Sequence, residues 1–328
     1  MTSGTSPVVV VTRKLPASVE EAIASRYDAR FNRTDVAMSP AQLTDAMKKA
    51  DIVLCTVTDR IRAEQFAGST NVKLLANFGV GVNHIDRDAA RAARVVVTNT
   101  PDVLTDDTAD LALALMLMSM RRLGEGERHL RSGAWSGWRP THMMGRSARG
   151  KTLGIVGYGR IGRALARKAD AGLGMKVLWY APRDPRVDDP ATAGPAGAER
   201  ASSMEELLRR SDVVSLHCPA TPETRHLINA ETIALMKPDA YLINTARGDV
   251  VDEWALTEAL REQRIAGAGL DVYEFEPSVV TDLKDMQNAV LLPHMGSGTI
   301  ETRTAMGERA LANIDAFVRG ESPPDLVA

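Results

Sequence analysis

Aromatic residues make up only 4% of this 328-residue chain, so its core has to be built from Ala, Leu, Val and Met. Cysteine is nearly absent: Cys55 and Cys218 are the only two, which excludes a disulfide framework and suits a reducing compartment. Neither sign of charge dominates, with 40 Lys+Arg against 42 Asp+Glu. That balance offers no field to recruit nucleic acid or an anionic membrane. The longest apolar run, Leu111 to Met120, is too short to cross a bilayer. The opening MTSGTSPVVVV has no basic stretch and no small-residue cleavage site, so it does not read as a signal peptide, and a cytoplasmic location is expected. No metal site is assigned. At about 150 residues per domain, the length calls for two domains.

What the chain does have is a series of short Val/Ile/Leu runs: Val8–Val11, Ile52–Cys55, Leu74–Asn77, Val95–Thr98, Thr152–Val156, Lys176–Tyr180, Val213–His217, Tyr241–Asn244, Ile265–Leu270 and Ala289–Leu292. Most are continuously apolar, the pattern of parallel strands buried on both faces. Helix-length segments lie between them, such as Ser18–Tyr27, Ile161–Ala171, Ser203–Arg210 and Glu253–Glu262. The alternation predicts an α/β protein with doubly wound parallel sheets. Two segments break the rhythm. Leu104–Leu130 reads as one long helical stretch rich in Ala, Leu and Met, and Val187–Arg200 as a loop of Pro, Gly and Ala.

The strand-like Lys151–Val156 runs straight into Gly157-Tyr158-Gly159-Arg160-Ile161-Gly162, and a helical pattern follows. In that setting GxGxxG is a dinucleotide fingerprint. Gly157 permits the tight turn, Gly159 lets the backbone approach a pyrophosphate, and Gly162 lets the helix lie on the strand. The next strand ends at Trp179-Tyr180, where an acid for the ribose is expected; Ala181-Pro182-Arg183 stands there instead. A missing acid and a cation favour NADP(H) over NAD(H), with Asp184 one place on as a counter-argument.

Three polar residues follow strands of the same half: Arg247 in Asn-Thr-Ala-Arg-Gly, Glu276 in Glu-Phe-Glu-Pro, and His294 in Leu-Pro-His-Met-Gly. In an open α/β sheet, ligands bind beyond the carboxyl ends of the strands, so all three could converge there. An Arg, a carboxylate and a His suit hydride transfer to a 2-oxo acid. Arg247 would hold the substrate carboxylate and polarise the carbonyl, His294 would protonate the oxygen, and Glu276 would orient the imidazole. The other histidines, His84, His129, His142, His217 and His226, have no such company along the sequence.

Asn77-Phe78-Gly79-Val80-Gly81, Asn99-Thr100-Pro101, Thr108-Ala109-Asp110, the glycine fingerprint, His217-Cys218-Pro219, Asn244–Gly248 and Pro293-His294 occur in the order in which the D-isomer-specific 2-hydroxyacid dehydrogenases carry such motifs. The chain resembles that family over essentially its whole length. Gly133-Ala134-Trp135-Ser136-Gly137-Trp138 and the Arg183 position look most like its NADP-dependent glyoxylate/hydroxypyruvate reductases. The resemblance implies a Rossmann-type nucleotide domain (102–295) inserted into a discontinuous, flavodoxin-like substrate domain (1–101 and 296–328), with hinges near Pro101 and Gly296. It implies Arg247, Glu276 and His294 as the catalytic trio, with Arg247, His294 and the backbone N–H groups of Val80 and Gly81 on the substrate. On the cofactor it implies Thr108, Arg160, Ile161, Pro219, Thr245, Asp271, His294 and Gly296, besides the fingerprint glycines and Arg183. It further implies that Leu104–Leu130 is the arm of a homodimer. The chain departs from relatives at Asn83, where Asp is common.

The expectation is therefore NAD(P)H-dependent reduction of glyoxylate or hydroxypyruvate. The alternatives are an NAD-dependent dehydrogenase of another D-2-hydroxy acid, and a nucleotide-sensing binding protein of the corepressor kind. A formate dehydrogenase would place Gln at Glu276, a D-lactate dehydrogenase would keep an acid after Tyr180, and a long-form phosphoglycerate dehydrogenase would add a regulatory C-terminal domain.

Overall fold

The computed structural model describes residues 6–68, 70–183 and 193–327. The chain divides into two compact units, Met1–Leu104 with Gly298–Ala328, and Thr105–Ser297.

The first unit holds five parallel strands: β1 (Val8–Val11), β2 (Asp28–Phe31), β3 (Ile52–Thr56), β4 (Leu74–Phe78) and β5 (Val96–Thr98). They lie in the order β2-β1-β3-β4-β5, the flavodoxin-like arrangement. Every residue of β3 and β4 is buried, as their unbroken apolar runs require of strands covered on both faces. Helices α1 (Ala17–Ala24), α2 (Pro40–Lys49), α3 (Ala63–Phe66) and α4 (Arg87–Ala92) connect them. The C-terminal helix, Ile300–Val318, returns to pack on β4 and α1. Strand β2 has no apolar run in the sequence. It is an edge strand whose burial alternates, with Asp28 and Arg30 on its outer side, a pattern that marks a sheet edge rather than a core strand.

The second unit opens with α5 (Thr105–Met120) and α6 (Leu123–Arg131). It continues through β6 (Thr152–Val156), α7 (Arg160–Leu173), β7 (Lys176–Tyr180), β8 (Glu199–Arg200), α8 (Met204–Arg210), β9 (Val213–Leu216) and α9 (Ala230–Ile233). It ends with β10 (Tyr241–Asn244), α10 (Glu253–Arg261), β11 (Gly267–Leu270), α11 (Thr281–Asp285) and β12 (Ala289–Leu291). The seven strands are parallel, in the order β12-β11-β10-β9-β6-β7-β8. Strand order reverses between β6 and β9, so the crevice for a ligand lies beyond their carboxyl ends.

Two readings of the sequence need correcting here. Leu104–Leu130 is not one helix. It breaks after Met120, where Arg122 takes a left-handed φ of 54°. The returning chain fills the break: Arg146 donates its N–H to the Met120 carbonyl at 2.7 Å, and a Cβ on Gly145 would lie 2.5 Å from that same oxygen. Helix α5 buries Ala109, Ala112, Leu115, Met116 and Met120 within its own unit, packed on α7 and the β10–β12 strands. Leu123 and Leu130, beyond the break, are exposed. The second correction concerns Val187–Arg200. Its last two residues pair with β7 as β8, and 187–192, like Asp184, lie outside the described residues. Among the described residues, no helix is long and apolar enough to cross a membrane.

Candidate active site

The turn after β6 is shaped by what its glycines exclude. Gly157 has φ +91°, and a Cβ there would stand 2.6 Å from the Cys218 amide nitrogen, in the turn after β9. A Cβ on Gly162 would lie 2.5 Å from the Gly157 carbonyl, so only glycine lets α7 start this close to the strand. Gly159 differs from both. Nothing lies within 4 Å of a Cβ built on it, and as N-cap it offers the first amides of α7 no side-chain acceptor. A helix N-terminus that no side chain caps and that faces open space is a ready anion site. Arg160 and Ile161 form the first turn of that helix.

On the other side of the crevice, Thr245 follows β10. Its hydroxyl is buried with no hydrogen-bond partner among the described residues, a polar atom still owed one. Pro219 sits exposed in the turn after β9, and Arg183 is exposed three residues beyond β7.

The three residues expected to carry chemistry come from the ends of β10, β11 and β12. His294 Nδ1 stands 2.9 Å from Glu276 Oε2. An ionised carboxylate only accepts, so Nδ1 carries the proton and Nε2 is the nitrogen left to exchange one with a ligand. The other Glu276 oxygen accepts the Tyr273 N–H at 3.0 Å. Burial works to raise the Glu276 carboxyl, but the hydrogen bond and charge of His294, the Tyr273 N–H and the Arg247 charge outweigh it and hold it below its ordinary value. Arg247 is half-buried, and its backbone carbonyl accepts from Asn244 Nδ2 at 2.9 Å. Burial lowers its guanidinium, against the opposing pull of Glu276 and Asp249; a guanidinium is not deprotonated in proteins, so it stays a cation.

His294 has φ 55°, and two side chains hold the loop that follows it. The Asp271 carboxylate, 1% exposed, accepts the N–H of Met295 at 2.6 Å and of Gly296 at 2.8 Å. Thr108 closes the cluster by donating to the Gly296 carbonyl at 3.0 Å. Both oxygens of Asp271 thus accept backbone amides, which makes it a holder of the histidine loop whatever else it touches.

The family whose sequence model is described as D-isomer specific 2-hydroxyacid dehydrogenase, NAD binding domain, matches residues 113–296. The chain is 43% identical to a glyoxylate reductase of Thermococcus litoralis, over 98% of this chain and 96% of that one. It is 41% identical to a glyoxylate reductase of Pyrococcus furiosus, again over 98% and 95%. Among solved structures, it is similar to an NADPH-dependent glyoxylate/hydroxypyruvate reductase from Sinorhizobium meliloti in complex with NADP and malonate: TM-score 0.86, 32% identity, 99% of this chain and 97% of that one. The chain belongs to the D-isomer specific 2-hydroxyacid dehydrogenases.

A nicotinamide dinucleotide fits this dehydrogenase on its own geometry: the open side of Gly159, the uncapped start of α7 and the orphan hydroxyl of Thr245 supply what pyrophosphate and ribose need. In the first unit, the Gly79-Val80-Gly81 turn is also prepared for an anion. Asn77 Nδ2 donates to the carbonyls of Gly79 and Gly81, and Asn99 Nδ2 to that of Val80. With the carbonyls held, the N–H groups of Val80 and Gly81 have no acceptor among the described residues. Asn83, just beyond, accepts from Arg62 through its backbone carbonyl.

Some of the dehydrogenase's polar contacts were invisible along the sequence. His226 Nε2 donates to Glu274 Oε1 at 2.7 Å, a second histidine–carboxylate pair formed between the loops after β9 and β11. His217 shares a 2.8 Å hydrogen bond with Ser215, and burial pushes its imidazole down to about 4, so it stays neutral. Tyr273 donates its hydroxyl to the Leu292 carbonyl at 2.8 Å, tying the Glu276 loop to the strand end that carries His294. No local spacing signals the His226 or Tyr273 contact, whereas Ser215 and His217 stand only two residues apart.

Proposed function

We propose that this enzyme reduces a small 2-oxo acid, glyoxylate or hydroxypyruvate, to the 2-hydroxy acid and prefers NADPH to NADH. The observation that carries the reading is the His294–Glu276 hydrogen bond with Arg247 in electrostatic reach of the same carboxylate. A nicotinamide, when bound, would supply the hydride for the C2 carbonyl carbon. The chain's own residues do the rest. Arg247, a cation on a half-buried site, pairs with the substrate carboxylate and polarises the carbonyl. His294 gives its Nε2 proton to the carbonyl oxygen, and Glu276 fixes the tautomer and offsets the charge of the protonated ring. The unpaired N–H groups of Val80 and Gly81 are assigned to the substrate carboxylate as well.

Gly157, Gly159, Arg160, Ile161, Gly162, Thr108, Pro219, Thr245, Asp271 and Gly296 are assigned to the cofactor. The preference for NADPH rests on Arg183, a cation with fork geometry where an acid would repel a 2′-phosphate. The names of the relatives agree with glyoxylate as substrate. A second copy of the chain is the proposed cover for the exposed Leu123, Leu130, Trp135 and Trp138, and light scattering at working concentration checks it.

The deciding experiment compares kcat/KM over glyoxylate, hydroxypyruvate, pyruvate and phenylpyruvate, each with NADH and NADPH. Highest efficiency with glyoxylate or hydroxypyruvate and NADPH is expected. No oxidation of either cofactor with any 2-oxo acid would overturn the reading in favour of a nucleotide-sensing protein.

A further inference from the structure

Glu253 is the first residue of α10, directly after the loop that carries Arg247. A glutamate in a first helical turn ordinarily faces solvent, where it complements the helix dipole. Here it is 3% exposed. Burying a carboxylate is costly unless its oxygens are satisfied, and both are. One accepts the Val280 N–H at 2.7 Å, the other the Glu274 N–H at 3.0 Å. Those two amides are the ends of the Glu274–Val280 loop, and Glu276 lies between them. The loop is a tight turn, closed by the Ser278 N–H on the Phe275 carbonyl at 2.8 Å. The Arg247 side abuts it as well: a Cβ on Gly248 would fall 1.8 Å from the Tyr273 carbonyl carbon and 2.4 Å from the Glu274 nitrogen.

We infer that Glu253 is a positioning residue for the reaction: its carboxylate clamps both ends of the loop that presents Glu276 to His294, and locks that loop to the Arg247 loop. This rests on the roles proposed above for Glu276 and His294. Both oxygens of the side chain are taken up by backbone amides. It acts through Glu276, by holding the carboxylate where the 2.9 Å bond to Nδ1 can form.

The test is a double-mutant cycle read in glyoxylate reduction with NADPH. Glu253→Gln keeps the side-chain volume but sets an NH2 group against one of the two donors. It is expected to lower kcat by about tenfold, a part of what a positioned proton donor supplies, and to leave KM for NADPH unchanged. In a Glu276→Gln background the same substitution is expected to cost nothing further, because the group it positions is already gone. The same loss in both backgrounds, or no loss in the first, overturns the inference. A Glu276→Gln enzyme with wild-type kcat refutes instead the role of Glu276, and is recognised as such before Glu253 is touched. Val280→Pro covers the case in which Glu253→Gln does not fold. Val280 has φ −51°, which proline adopts, and the change removes one donor without altering the carboxylate. It is expected to reproduce the drop in kcat, again only where Glu276 is intact; an unchanged kcat overturns the clamp.

Discussion

His294 Nδ1 and Glu276 Oε2 are 2.9 Å apart, though one side chain follows β12 and the other lies on the loop after β11. The pair assigns the ring proton and leaves Nε2 for the substrate. Replacing His294 by Ala is therefore expected to cut kcat by about a thousandfold, within the range that a positioned general acid contributes. The Kd for NADPH, read from fluorescence, should move little. Turnover within a few-fold of wild type would sink the proton-donor assignment.

Asp271 makes a different prediction, because both of its oxygens hold the backbone beside His294. Burial raises its carboxyl, opposed chiefly by the Met295 amide. Asp271→Asn keeps the shape but turns an NH2 toward one of the two N–H donors. Leaving a buried donor unpaired costs about 1–3 kcal/mol. Chemical denaturation should show a loss of that size together with a fall in kcat. A variant with unchanged stability would mean that the loop after His294 is not held by this side chain.

Most strands were legible because they are largely apolar runs; Thr152–Val156 and Lys176–Tyr180 form over the residues that the sequence marks. Strand β2 was not, since at a sheet edge Asp28 and Arg30 alternate with only two residues facing inward. The Leu104–Leu130 reading overran the break at Arg122 because two arginines are good helix formers, and the cause is tertiary: the Gly145–Arg146 segment comes back onto the Met120 carbonyl. In the site, Arg247, Glu276 and His294 stood out as polar residues just after strands. The clamps around them did not. Glu253 looks like an ordinary helix-start acid, and His226 pairs with the distant Glu274 and not with its sequence neighbour Glu223; both meet their partners only when separate loops pack together.

His217 gives a pH prediction. Burial pushes its imidazole down to about 4, against about 6.5 in an unfolded chain. The unfolded state binds the proton more readily, so the contribution of His217 to stability is full above about pH 6.5 and is lost progressively as pH falls toward 4. The difference corresponds to a few kcal/mol, on the order of 3. Tm should fall between pH 7 and pH 5, and less steeply in His217→Gln, which has no proton to take up. Parallel pH profiles in the two proteins would remove His217 from the acid response.

Arg183 decides the cofactor, if its charge reads a 2′-phosphate. It is exposed, so its removal should not disturb the fold. Arg183→Ala is expected to lower kcat/KM for NADPH by about tenfold, the loss of one charge-assisted contact to phosphate, and to leave NADH nearly unaffected. Arg183→Glu goes further, because an acid there repels the phosphate and can instead accept from the ribose hydroxyls of NADH. Its NADPH:NADH ratio of kcat/KM should invert. A contact of that kind would be electrostatic and solvent-facing, so the wild-type NADPH:NADH ratio of kcat/KM is expected to fall as salt is raised, while the NADH reaction changes little. A ratio that neither substitution nor salt moves would place the recognition of the 2′-position away from Arg183.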